Sequence, residues 1–195
     1  MSRNEHPNPQ FQRRSYMCLN GAWDFAKCLY TSDVEFTQKI EVPFCPESVL
    51  SGIGDRSFIT DCVYSRTVEV TADDMRGRLV LHFGAVDYIA TVYVNGRRVT
   101  EHVGGYTAFE ADITPYVFEG QNRITVAVHD DVRENIPSGK QSKKPDSHGC
   151  FYTRSTGIWQ TVWLERTPVN YIKAIKFYPQ SDYKTVRVEL LTEGC

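Results

Sequence analysis

Short segments in which apolar and polar residues alternate recur along the whole chain, and this period of two is typical of β-strands with one buried face. The clearest examples are "VYSRTVEV" (Val63–Val70), "YIATVYV" and "NRITVAVH", while "LVLHFGAV" is a more continuous apolar run. Apolar residues at the 3.6-residue spacing of an amphipathic helix are almost absent. The pattern therefore predicts an all-β protein.

Turn signals separate these segments about every ten residues. Asn95-Gly96 lies between two of them and is typical of the type I′ turn of a β-hairpin, which needs two residues with positive φ. No internal repeat is visible, which argues against a propeller or a solenoid. Regularly spaced short strands without intervening helices indicate a jelly-roll β-sandwich.

The segment "YTRSTGIWQTVWLE", residues 152–165, reads as a turn followed by a strand with an unusual outer face. Alternation from Ile158 assigns one set of side chains to the core: Ile158, Gln160, Val162 and Leu164. The opposite face then carries Trp159 and Trp163, which need a covering surface. A neighbouring strand, the Cys45–Gly54 loop, the N-terminal segment or another domain are the alternatives for that cover.

Two stretches interrupt the strand pattern. Asp130–Gly149 is polar and contains two prolines, and unstructured loops of this length in compact domains are usually functional or disordered. "RTPVN", residues 166–170, is typical of a domain boundary, and two alternating segments follow it. Because a single hairpin is marginally stable alone, we interpret residues 1–167 as one domain and 168–195 as the truncated start of another.

Composition narrows the function classes. The formal net charge of −2 argues against nucleic-acid binding. No apolar stretch approaches the length of a membrane helix, and the polar N-terminus lacks the apolar core of a signal peptide, so no membrane partner is expected. The six cysteines form no C-x-x-C pair and are interpreted as reduced structural residues. A cytoplasmic location fits these features best.

Motifs for catalysis, metals and cofactors are missing. Glycoside hydrolysis needs two carboxyl groups held across one bond, and the adjacent pairs Asp73-Asp74 and Asp130-Asp131 do not supply that arrangement. No nucleophile elbow, phosphate-binding loop or EF-hand spacing is present. His148 and Cys150 are too few ligands for zinc. We therefore expect no catalytic residue, no metal and no cofactor in this chain.

The remaining candidate chemistry is recognition of a sugar, since aromatic rings suit its apolar faces and planar polar groups suit its hydroxyls. "SGKQS" and "FYTR" bring Lys140, Gln141, Tyr152 and Arg154 together on a loop and its return. The alternatives are that Arg154 forms a salt bridge with Asp130 or Asp131, and that Tyr152 caps the core.

Several motifs in this order resemble the N-terminal sugar-binding domain of glycoside hydrolase family 2, which includes β-galactosidases, β-glucuronidases and β-mannosidases. They are "LNGAWDF", "VPFCPES", "VYVNGRRVTEHVGGYTAFEADIT", "NRITVAV", "GKQS" and "STGIWQTVWLE". The resemblance covers almost the whole chain. It implies a jelly roll at the rim of an active site, followed by an immunoglobulin-like domain and a catalytic (β/α)₈ barrel, with a homo-oligomer of the full-length enzyme allowed.

The resemblance also implies site residues. Several family members place a sugar-contacting aspartate five residues before the small residue of the "[ST]GI" turn, where this chain has Phe151, either for stacking or as core. The substrate-rim candidates are Asp130, Lys140, Gln141, Phe151, Tyr152, Arg154 and Trp159. Trp159 and Trp163 are the candidates for interdomain contacts, with the tight turn at Thr156-Gly157 lifting the long loop towards the active site.

Three functions compete. The first is a non-catalytic domain of a family 2 glycosidase that acts on β-galactosides or β-glucuronides. The second is a free-standing carbohydrate-binding module or lectin. The third is an all-β interaction domain without a sugar function. The unfinished hairpin after residue 170 favours the first.

Overall fold

The computed structural model describes residues 5–31 and 33–194. The strands of this part of the chain are β1 (Met17–Cys18), β2 (Gly21–Ala26), β3 (Gln38–Val42), β4 (Asp61–Val70), β5 (Arg78–Phe83), β6 (Val86–Asp87), β7 (Ile89–Val94), β8 (Arg97–Val103), β9 (Phe109–Asp112), β10 (Gly120–His129), β11 (Gly157–Ile158), β12 (Val162–Thr167), β13 (Tyr171–Pro179) and β14 (Val186–Glu193). Its helices are short 3₁₀ turns at Pro9–Phe11, Val49–Ser51, Asp74–Arg76 and Thr114–Tyr116.

Two antiparallel sheets form the sandwich. The larger sheet has the strand order β3-β2-β4-β10-β7-β8, and the smaller has the order β1-β12-β5-β9. One cluster of buried apolar side chains draws residues from both sheets, for example Tyr64 and Val126 from the larger and Phe83 and Leu164 from the smaller. The predicted all-β jelly-roll class is confirmed.

Local sequence explains much of this architecture. Asn95 and Gly96 have φ values of 51° and 78°, as a type I′ turn requires, and they join β7 to β8. Trp23 and Phe25, two residues apart on β2, are both buried, and the indole of Trp23 donates to the carbonyl of Leu19 at 2.8 Å. Burying each such ring stabilises the fold by roughly 1.5–3 kcal/mol.

The predicted continuous strand from residue 158 to 165 is wrong. The chain forms β11 with β6, leaves it, and enters the smaller sheet only at Val162. Gln160, expected in the core, is half-buried at this crossing, where a Cβ on Gly84 would lie 2.7 Å from the Gln160 Cβ. Backbone groups freed by the break bind elsewhere: Gly84 donates to Thr161 at 2.9 Å and Val162 donates to the Asn20 side chain at 3.1 Å.

The N-terminal segment, residues 5–16, covers part of the outer face of β12. Trp163 stacks on His82 with a ring separation of 4.8 Å, and the His6 ring lies 6.3 Å from it. Glu165, expected on the wet face, is 2% exposed because Arg13 binds it at 2.6 Å. Among the alternatives for the cover of Trp163, the structure shows two: the neighbouring strand β5, through His82, and the N-terminal segment, through His6.

β13 and β14 pair with each other in a separate two-stranded sheet. The hairpin meets the sandwich through polar contacts: Arg13 donates to the carbonyl of Ile172 at 2.6 Å, and Lys173 binds Glu110 at 2.8 Å. The division of the chain at residues 167 and 168 stays a prediction.

The five cysteines of the described residues form no disulfide, and Cys195 lies outside those residues. Over the same part of the chain, no helix has the length and apolar character that crossing a membrane requires.

Candidate functional site

The long loop after β10 folds back on itself at one end of the sandwich. Gln141 pairs with Tyr152 as an isolated parallel bridge, with Ser142 donating to the Tyr152 carbonyl at 2.7 Å and Tyr152 donating to Lys140 at 3.0 Å. The structure therefore brings together Lys140, Gln141 and Tyr152, as the sequence predicted. The Lys140 side chain is exposed.

Gln141 lies beneath this loop and is only 3% exposed. Its Nε2 group donates to the Asp87 carboxylate at 2.6 Å and to the Tyr106 hydroxyl at 3.3 Å. Its Oε1 atom accepts from the backbone of Ser155 at 2.9 Å. The amide thus binds three separate parts of the chain and presents little surface itself.

Three aromatic side chains stand above Gln141, and we call Tyr106, Tyr152 and Trp159 the aromatic rim. Tyr106 is 50% exposed and Tyr152 is 45% exposed, with their hydroxyls 3.3 Å apart. Trp159 meets Tyr106 edge to face at 6.2 Å and donates from its indole to Gly105 at 2.8 Å. The expectation that Tyr152 caps the core is wrong, because its ring faces solvent.

Sequence reasoning missed Tyr106 and Asp87. The signal for Tyr106 was the "VGGYTAF" segment, where two glycines let the chain approach a neighbour closely. Asp87 follows the apolar run that ends at Val86, with Tyr88 next to it, so it reads as the end of a strand. In the folded chain a Cβ at Gly105 would overlap the Asp87 carboxyl, which shows how tightly this turn packs on the acid.

Asp87 is 2% exposed, and its burial raises the pKa of the carboxyl to about 6 although the Gln141 hydrogen bond opposes the shift. Asp130 is 3% exposed, and burial followed by the charge of Asp87 raises its pKa to about 7. Burial also raises the pKa of Glu47. One end of the sandwich therefore holds three buried carboxyl groups whose surroundings favour the neutral, protonated form.

Arg154 is not a partner of Asp130 or Asp131, which corrects one alternative from the sequence. Its guanidinium donates to the carbonyls of Arg56, Ser57 and Lys144 and lies over the Phe58 ring at 4.2 Å. The carboxylate nearest to it in an ion pair is Glu47 at 4.0 Å, and Arg154 is 3% exposed. Arg154 supports the loop from inside.

The turn that returns the loop to the sandwich contains Thr156 and Gly157. The backbone of Thr156 donates to the buried Glu47 at 3.2 Å. Gly157 has a φ of 76°, and a Cβ there would overlap the hydroxyl of Tyr64, so glycine is required on both counts. The predicted tight turn is present.

Phe151 is 42% exposed and stacks on His148 at a ring separation of 5.3 Å. Of its two alternatives, stacking on the surface fits this position and core does not. No group of three or more His, Cys, Asp or Glu side chains among the described residues is arranged to hold a metal ion.

This end exposes aromatic rings, hydroxyls and charged loop side chains such as Lys140 and Asp146, while the carboxyls of Asp87, Asp130 and Glu47 are buried. Such a surface can stack on the apolar face of a sugar and exchange hydrogen bonds with its hydroxyls. A cleft of about 630 Å³ lies elsewhere, on the outer face beside His82, Trp163 and Lys173. Fold and site together define a β-sandwich with exposed aromatic rings on the loops at one end.

The comparisons identify the family. Residues 21–168 match the model of "Glycosyl hydrolases family 2, sugar binding domain", so the chain belongs to that family. It is 40% identical over 102 residues to a β-galactosidase of Thermoanaerobacter pseudethanolicus, covering 51% of this chain and 13% of that protein. It is 32% identical over 159 residues to the β-glucuronidase of Sus scrofa, covering 71% of this chain and 24% of that protein.

A solved structure agrees with the sequence relatives. The β-glucuronidase of an uncultured Clostridium sp. superposes with a TM-score of 0.71 at 27% identity, covering 93% of this chain and 35% of that one. The chain thus spans from about an eighth to about a third of the length of these relatives.

Proposed function

We propose that this chain is the non-catalytic N-terminal carbohydrate-binding domain at the active-site rim of a family 2 β-glycosidase that hydrolyses β-galactosides or β-glucuronides. The observation that carries the proposal is the aromatic rim, because a family 2 sugar-binding domain here presents exposed rings and hydroxyls on one loop end. The relatives are named for those two activities.

The catalytic acid and nucleophile belong to the part of the protein that this chain lacks. The carboxyls at the rim end are buried, and Asp130 and Asp87 are each less than 4% exposed. The rim is open and forms only one side of a site. We expect the partner domains of the same protein, an immunoglobulin-like domain and a (β/α)₈ barrel, to complete that site. The proposed location of the enzyme is cytoplasmic.

Kinetics of the full-length gene product test this proposal, with 4-nitrophenyl β-D-galactopyranoside and the corresponding glucuronide as substrates. We expect the 195-residue chain alone to be inactive. In the full-length protein, Tyr152→Ala should raise KM by about tenfold, equivalent to about 1.4 kcal/mol of binding, with a smaller change in kcat.

Phe118→Ala is the matched control, because Phe118 is 55% exposed and lies before β10, at the opposite end of that strand from the loop. Hydrolysis by the chain alone that survives a second purification would overturn the assignment. So would equal KM values for Tyr152→Ala and Phe118→Ala.

A free-standing carbohydrate-binding module is the second candidate, and one observation favours it: Tyr106, Tyr152 and Trp159 are held in place by this chain's own contacts. A module of this kind would bind methyl β-glycosides without any further domain. Isothermal titration of the chain distinguishes the two, since a rim that is only one side of a site should bind such a sugar weakly, with Kd near or above the millimolar range.

A further inference from the structure

Gln141, like Ser142 next to it, is buried, which distinguishes it from the lysines of the loop. Lys140 and Lys143 are exposed, as charged loop residues usually are, whereas Gln141 is buried and surrounded by polar partners. A primary amide offers two donor hydrogens and one acceptor oxygen, and all three functions are used here. Burial of an amide is favourable only with such partners.

The three hydrogen bonds of Gln141 join segments that are far apart in the chain. Asp87 is 54 residues away, Tyr106 is 35 residues away and Ser155 is 14 residues away. The side chain therefore fastens the long loop to β6, to the turn before β9 and to the turn before β11. No other contact described for this end joins these three places through one side chain.

Hydrogen bonds, more than packing, hold the rings of the rim in position. Tyr106 and Tyr152 each expose about half of their surface, so neighbouring side chains restrain only part of each ring. The Tyr106 hydroxyl donates to Ser138 at 2.9 Å and lies within hydrogen-bond distance of both Gln141 and Tyr152. Moving the amide of Gln141 would leave the Tyr106 phenol with its hydrogen bond to Ser138, so its placement beside Tyr152 would be less fixed.

We propose that Gln141 is a positioning residue for the aromatic rim: held by the Asp87 carboxylate, its amide sets the placement of Tyr106 and of the Ser155 turn beneath the sugar-binding surface. The sugar contact rests on the proposed function, whereas the positioning concerns this chain alone. Gln141 acts through the tyrosines and touches no sugar itself. This replaces its earlier interpretation as a direct rim contact.

The charge of Asp87 gives the arrangement a pH dependence. The Gln141 hydrogen bond lowers the pKa of Asp87 against the larger effect of burial, so the amide binds the charged carboxylate more strongly than the neutral acid. The charge of Glu47 favours the neutral form of Asp87, the charge of Asp87 in turn raises the pKa of Asp130, and the Tyr106 phenol also interacts with Asp87. As the pH falls through about 6, Asp87 takes up a proton and the anchor of Gln141 weakens.

NMR spectroscopy of the chain tests the proposal without a sugar. The first readout is the hydrogen-exchange protection of the Ser155 backbone amide, which donates a hydrogen bond to the Gln141 side chain. The second readout is the ¹³C titration of the Asp87 carboxyl. Gln141→Ala should reduce Ser155 protection by about tenfold, the equivalent of one net hydrogen bond. It should also raise the Asp87 midpoint by about one pH unit. Gln121→Ala, an exposed glutamine of β10, should change neither.

Gln141→Glu provides a second variant that is its own control. At pH 5 Asp87 and the new carboxyl hold at least one proton between them, so a hydrogen bond can join them and Ser155 protection should approach that of the wild type at the same pH. At pH 8 two carboxylates would face each other, and protection should fall by at least tenfold. Equal protection at both pH values, or an Asp87 midpoint unchanged in Gln141→Ala, would overturn the positioning role.

A titration with methyl β-D-galactopyranoside and methyl β-D-glucuronide separates this proposal from the proposed function. If the rim responds to Gln141→Ala but neither sugar shifts the signals of Tyr106, Tyr152 or Trp159, the positioning role stands and the sugar function of the isolated chain fails. If a sugar binds equally well to the wild type and to Gln141→Ala, Gln141 does not position the rim.

Discussion

Two regions of this sandwich bury carboxyl groups, and they treat them in opposite ways. At the loop end, burial raises the pKa of Asp87 to about 6 and of Asp130 to about 7. On the outer face of the smaller sheet, a hydrogen bond from His82, together with Lys173 and against the effect of burial, lowers the pKa of Glu110 to about 2. The difference lies in the neighbours, since burial alone disfavours both sets of charges.

The outer face gathers cations around its acids. Glu165 contacts Arg13 at 2.6 Å, His6 at 3.4 Å and His82 at 3.5 Å, and its pKa is lowered even though burial opposes the shift. The loop end places its acids next to one another, and the buried guanidinium of Arg154 binds mainly carbonyls. The first region is therefore a structural network of ion pairs. In the second region the charged forms of the acids are electrostatically unfavourable, and these acids lie where we propose recognition.

The largest expected effect is loss of the outer network. Glu165→Gln would leave the Arg13 cation without its buried carboxylate, which should lower the free energy of unfolding by about 3 kcal/mol at pH 7. Urea unfolding followed by tryptophan fluorescence measures it. Glu69→Gln on the exposed side of β4 is the control and should change stability by less than about 0.5 kcal/mol. Similar values for the two variants would remove the contrast between the regions.

The same type of substitution at the loop end should have the opposite sign. The folded pKa of Asp130, about 7, lies above its unfolded value of about 3.9, so its contribution to stability is lost as the pH rises from about 4 to 7. Asp130→Asn has no such loss and should be more stable than wild type at pH 8 by on the order of 2 kcal/mol. Near pH 4 the two proteins should differ little.

Urea titrations at both pH values provide the test of Asp130→Asn. If the variant were less stable than the wild type at pH 8, the charged carboxylate would have a favourable partner. That result would contradict the difference described between the two regions. An equal gain at pH 4 and pH 8 would assign the effect to packing.

A smaller effect is expected for His82. The carboxylates of Glu110 and Glu165 raise its pKa although burial opposes the charge, so its contribution is complete below about pH 6.5 and is lost as the pH rises through the folded pKa. His82→Gln should cost about 1 kcal/mol more at pH 6 than at pH 9. The stack on Trp163 is lost at both pH values and cancels in this difference. If His82→Gln lowered the free energy of unfolding equally at both pH values, His82 would stabilise the fold through packing alone.

Much of the fold follows from local patterns. Alternation in Val63–Val70 and the Asn95-Gly96 turn depend on neighbouring residues only, and the structure confirms both. The break at Gln160 does not follow from a local pattern. It depends on Gly84, which directly follows β5 and packs against Gln160. Glu165 was misplaced for a similar reason: the arginine that allows its burial is 152 residues away in the sequence.

The candidate site was half predictable. Lys140, Gln141 and Tyr152 lie close together in sequence as well as in space, so a loop and its return strand predict their association. Asp87 joins them only through the topology that places β6 beside β11, and an aspartate at the end of an apolar run gives no sign of that. Arg154 looked like a ligand because its backbone-carbonyl partners have no sequence signature.

One experiment tests the contrast between the two regions most directly: a ¹³C NMR titration of the side-chain carboxyls of the wild-type chain from pH 2 to pH 9. We expect Asp87 and Asp130 to titrate with midpoints near 6 and 7, while Glu110 stays charged down to about pH 2 in the same sample. Midpoints for Asp87 and Asp130 near the ordinary value of about 4 would contradict it, because the loop end would then hold its acids no differently from exposed carboxyls.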